Sequence, residues 1–111
     1  MRTRAFVRAI PQSPMTVAFE EAGEPFAYGA VANISEGGAC IWTASQFEVG
    51  QELTLRLSAA RQPQPFEAPA LVVWGATDPT KESPAHRYGL QWARPTSEHR
   101  TQIRRLLQLS H

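Results

Sequence analysis

The sequence predicts a mainly β fold: a six-stranded antiparallel β-barrel followed by one C-terminal α-helix. Three observations carry this. Apolar residues alternate over short runs, turn-forming clusters separate those runs at near-regular spacing, and the period becomes helical after Pro95. The 111 residues suit one domain with one modest core, and an apolar content of 42% favours folding over disorder.

Residues 1–14 are basic and then punctuated by Pro11 and Pro14, which predicts an N-terminal arm. The barrel and helix are expected over 15–111. Met15, Val17 and Phe19 alternate as a first strand, and "EEAGEP" turns the chain. Phe26–Ile34 forms a second strand, broken by "SEGG", and Ala39–Ala44 a third. After "SQFEVGQ", Leu53, Leu55 and Leu57 alternate with Thr54 and Arg56, the mark of a half-buried strand. Phe66–Ala76 ends in the apolar run "ALVVW", "TDPTKESPA" is a polar loop, and His86–Ala93 is the sixth strand. Beyond Pro95, His99, Ile103, Leu106, Leu107 and Ser110 share one helical face. Thr96 or Ser97 can cap that helix, and Glu98 suits its positive end.

A net charge of +1 gives no bulk field for duplex nucleic acid. Ten of the eleven basic residues are Arg, whose planar fork fits phosphates and purine edges. Cys40 is the single cysteine, so neither an internal disulfide nor a thiolate zinc cage forms, and its neighbours predict a small buried residue. No secretory leader and no apolar run of membrane-spanning length is expected, which points to a cytoplasmic protein without membrane insertion.

An enzyme finds little support. His86, His99 and His111 lack metal-ligand spacing and read as surface or helix histidines. No Ser sits in a nucleophile elbow, and Cys40 has no nearby base. Glu20, Glu21 and Glu24 read as solvated loop charges. Trp42, Trp74 and Trp92 fall on strands, where core packing is the usual role. Gly37 and Gly38 read as a tight hairpin with positive φ, and Asn33 and Ser35 as residues bonding their own turn.

Two motifs change weight when taken together. Arg4-x-x-x-Arg8 in the arm is followed, after two strands, by Asn33-x-Ser35-x-x-Gly38. The pair resembles the signature of the PilZ domain, a bacterial receptor module for cyclic di-GMP. "GQELTLRL", "ALVVW", "YGLQW" and "QIRRLLQL" resemble that family's later strands and closing helix, so the resemblance spans residues 4–109. Thr3 stands where the family often has a further Arg, Asn33 where Asp is commoner, and Trp92 where Phe is frequent.

The resemblance implies a PilZ-like split barrel with no catalytic activity. It implies cyclic di-GMP as the ligand, with no other cofactor and no metal. Arg4, Arg8, Asn33, Ser35 and Gly38 are the implied contacts, with Trp74 as a lesser one; Trp42 and Trp92 stay in the core. The implied role is a sensor that passes the second-messenger level to a downstream protein in motility, biofilm or virulence control, as a monomer or a ligand-linked dimer. Two other readings stay open: an adaptor of the same fold without nucleotide, and a barrel that binds single-stranded nucleic acid. The near-neutral charge disfavours the latter.

Overall fold

The structure, a computed structural model, describes residues 15–59, 65–78 and 85–109. Arg4, Arg8 and Thr3, the rest of 1–14, residues 60–64 and 79–84, and Ser110 and His111 lie outside the described residues, as do the side chains of Leu106 and Leu107. Six strands and one helix follow in order: β1 (Met15–Glu21), β2 (Glu24–Ile34), β3 (Gly38–Thr43), β4 (Glu52–Ala59), β5 (Phe66–Asp78), β6 (Ala85–Trp92) and α1 (Ser97–Leu109). The strands close into a barrel in the order β1-β2-β3-β6-β5-β4, with every pairing antiparallel.

Alternation decides what lies inside. Val17 and Phe19, Leu53, Leu55 and Leu57, and Phe66, Ala68, Ala70 and Val72 all point into the core. Each fully buried large side chain is worth about 1.5–3 kcal/mol over its exposed state, so three adjacent strands supply much of the stability. The first hairpin is tighter than "EEAGEP" suggests. Its loop is Ala22 and Gly23 alone, at φ of 54° and 82°, because the ladder continues to Glu21 opposite Glu24.

Both barrel openings are plugged. At one, Phe47 from the β3–β4 connection lies 4.8 Å from Phe19 and 5.3 Å from Tyr88, centroid to centroid. Its backbone N–H donates to the Tyr88 hydroxyl at 2.8 Å. At the other, α1 inserts fully buried Ile103, and Phe66 meets Trp92 and His99 edge-on. Thr96 is the helix cap: its Oγ1 accepts from the His99 N–H at 3.1 Å, leaving Ser97 as the first helical residue.

Three expectations about burial need correction. His86 is buried, not surface, with Nδ1 2.9 Å from Thr77 Oγ1, because the two residues are register partners at the end of the β5–β6 ladder. Glu20 is not a solvated loop charge, since β1 runs past it to Glu21 and a bulge after Phe19 leaves it 8% exposed. Trp42 is half-buried on the outer wall and outside the core, because its neighbour Ile41 takes the inward position.

Candidate functional site

The segment Asn33–Gly38 ends β2 and opens β3. A bulge in β2 between Val31 and Asn33 turns Asn33 outward, opposite Cys40. The next residue, Ile34, is completely buried, so the loop is anchored from within. Ser35 then builds the turn. Its N–H donates to the Gly38 carbonyl at 2.8 Å, and its Oγ accepts from the N–H groups of Gly37 and Gly38, each at 3.2 Å. The Ser35 carbonyl accepts the Trp92 indole N–H at 3.0 Å, which ties the loop to the end of β6.

Gly37 and Gly38 are not the positive-φ glycines of the described residues; those are Gly23 and Gly50. The need for glycine at 38 is close approach: a Cβ there would collide with the Leu90 carbonyl oxygen of β6. Glu36, in the same loop, pairs with Arg104 of α1, so the closing helix and the motif loop hold each other.

Register carries the wall outward from Asn33. Asn33 faces Cys40, Cys40 faces Gly89, and Gly89 faces Trp74, giving one row across four strands. A second bulge, between Val72 and Trp74, lies beside that row. Cys40 is buried as its neighbours predict. Trp74 is 37% exposed, and its indole rests so closely on Gly89 that a Cβ there would overlap it. The structure thus brings Asn33, Ser35, Gly38 and Trp74 to one wall, while Arg4 and Arg8 lie outside the described residues.

Sequence reasoning missed Arg87. It faces Trp42 directly across β3–β6, and its guanidinium carbon lies 5.5 Å from the Trp42 ring centroid and 5.4 Å from that of Trp74. The alternation of "HRYGLQW" signals that Arg87 and Gly89 share a face, but only register reveals which aromatic rings stand beside them.

On the wall of β1 and β4, a shallow cleft of about 240 Å³ is lined by Thr16, Glu20, Tyr28, Arg56 and Ser58, among others. Glu20 Oε1 has no hydrogen-bond partner there. A hydrogen bond with Glu67, then burial, then Glu67's charge raise the Glu20 carboxyl above the usual carboxylate range, against the pull of Arg56. Among the described residues, no cluster of His, Cys, Asp and Glu could hold a metal, and no helix is long and apolar enough to cross a membrane.

Compared with known families, residues 2–109 match the PilZ domain. The chain belongs to the PilZ domain family. Several solved structures share the fold at low identity. The PilZ domain of YcgR from Escherichia coli, solved with cyclic di-GMP, is 13% identical at a TM-score of 0.76, covering 98% of this chain and 92% of that one. MrkH of K. pneumonia in its apo state is 15% identical at 0.78, covering 99% of this chain and 52% of that one. The Bacillus subtilis inhibitor of motility MotI is 20% identical at 0.73, covering 96% and 50%. This chain therefore spans about half of the MrkH and MotI chains. No curated protein sequence matches it.

Proposed function

We propose that this chain is a cyclic di-GMP receptor that reports the second messenger to a partner protein. One observation carries the reading: in a member of the PilZ family, Asn33-x-Ser35-x-x-Gly38 forms the β2–β3 junction beside the point where the chain enters the barrel. Thr16, next to the first described residue, pairs with Ala30, and β2 runs on from there to Asn33.

In this reading residues 1–14 are an arm. Arg4 and Arg8 supply bidentate, charge-assisted donors to phosphates and to the O6/N7 edge of guanine. Asn33 offers its carbonyl oxygen to the guanine N1–H or N2 amine. Lacking charge and a second acceptor oxygen, it holds that edge more weakly than Asp does. Ser35 shapes the loop that presents Asn33, Gly38 lets β3 and β6 approach there, and Trp74 adds a lesser stacking contact. The YcgR domain and MrkH, both solved with cyclic di-GMP, support the ligand's identity.

The ligand bridges arm and barrel, fixes the arm, and changes a surface that a downstream protein reads. Control of motility or biofilm is the proposed output, and no catalytic step or further cofactor is assigned. Calorimetric titration with cyclic di-GMP, with GTP as control, tests this. Saturable binding at micromolar affinity or tighter is expected for the first and none for the second. Equal binding of both, or no binding by two methods, ends the reading. Arg8→Ala is expected to lose about tenfold to a hundredfold in affinity with an unchanged circular dichroism spectrum. Unchanged affinity removes Arg8 from the site.

A further inference from the structure

Arg87 is the one cation clasped between two rings on the wall that carries Asn33, among the described residues. Trp42 and Trp74 flank its guanidinium, which limits the directions it can take. Its N–H donors lie in the guanidinium plane and remain available at an exposed position. The ion pairs among the described residues are Arg94 with Glu52 and Arg104 with Glu36, so no carboxylate there engages Arg87. A long side chain usually gives up rotamer freedom on binding; here the two indoles have already restricted it.

Position adds to this. Arg87 is two residues from Gly89 on β6, and Gly89 belongs to the row that runs from Asn33 to Trp74. With strands ~4.8 Å apart and alternate residues ~6.6 Å apart, Asn33 and Arg87 lie roughly 12 Å from each other on one face. A ligand with two phosphates and two bases is long enough to touch both.

We propose that Arg87 is a further ligand-binding residue, donating its guanidinium fork to a phosphate of the bound nucleotide while Trp42 and Trp74 hold it in place. This rests on the cyclic di-GMP reading. The contact is charge-assisted and bidentate, so Lys cannot fully replace it.

The test is cyclic di-GMP titration of the wild type, Arg87→Met and Arg87→Lys at two salt concentrations. Methionine keeps an apolar stem between the indoles and removes the charge; lysine keeps the charge and removes the fork. Arg87→Met is expected to bind about tenfold to a hundredfold more weakly, with a shallower salt dependence. Arg87→Lys is expected to recover part of the affinity and the full salt dependence. If the wild type binds and Arg87→Met binds within about twofold of it, Arg87 has no part in binding. If Arg87→Met binds more weakly but keeps the wild-type salt dependence, Arg87 only packs the tryptophans and the proposal falls. If the wild type itself does not bind, the receptor reading fails, and this inference with it.

Discussion

Strand β4 pairs with β1 and with β5 without a single shift of register, whereas β2 is bulged against β3 and β5 is bulged against β6. The β4 side alternates strictly, with Leu53, Leu55 and Leu57 inward and Thr54, Arg56 and Ser58 turned away. The bulged side gives up that regularity beside Asn33 and Trp74, and places Gly89 beneath an indole that leaves no room for a Cβ. Regular pairing serves stability. The irregular wall re-aims side chains, and it is there that the proposed ligand contacts Asn33 and Trp74 lie.

The sharpest way to break this contrast is in β4. Leu55→Ala should lower the unfolding free energy by about 2–5 kcal/mol, because a completely buried side chain leaves a cavity. Urea denaturation measures it, and a loss under about 1 kcal/mol would show that the regular wall does not bear the load. Ser35→Ala should cost less, about 1–3 kcal/mol, by depriving the Gly37 and Gly38 N–H groups of their acceptor. Thermal unfolding reads the stability, and a parallel fall in cyclic di-GMP affinity is expected because the loop presents Asn33. Loss of stability with full affinity would separate the loop from recognition.

The smallest effect concerns Glu20. Its raised carboxyl keeps a proton in the folded chain at pH values where the unfolded chain has released it. Stability therefore falls as pH rises from the ordinary carboxylate value of 4.5 through the raised one, and stays lowered above it. Glu20→Gln should be more stable than the wild type at neutral pH, with the difference closing as pH drops to that ordinary value. Denaturation midpoints across this range decide it, and a difference independent of pH would remove the Glu20–Glu67 pair as its cause.

What could be read from the sequence follows the same division. Leu53, Leu55 and Leu57 announce β4, and the pair Thr96 and Ser97 announces the start of α1, of which the structure makes Thr96 the cap, since alternation and capping are local properties. The Asn33–Gly38 junction was found through its motif, and Trp92 was rightly expected inside. Trp42, Arg87, His86 and Glu20 were not legible. Their surroundings depend on which strands become neighbours and on single-residue bulges, and a shift of one residue exchanges the inner and outer faces.

Closure of the barrel has a consequence for how copies of this chain meet. Each of the six strands has a neighbour on both sides over part of its length, and β1 and β4 are paired along most of theirs, so neither of these two offers an open row of backbone donors and acceptors to another molecule. Recruitment of a second copy by strand addition at β1 or β4 first requires a ladder to be torn open, which ties fibre formation by those two strands to unfolding of the barrel. Association of intact barrels through β1 and β4 therefore has to use side chains, whereas β5 beyond Val72 pairs with β6 alone among the described residues.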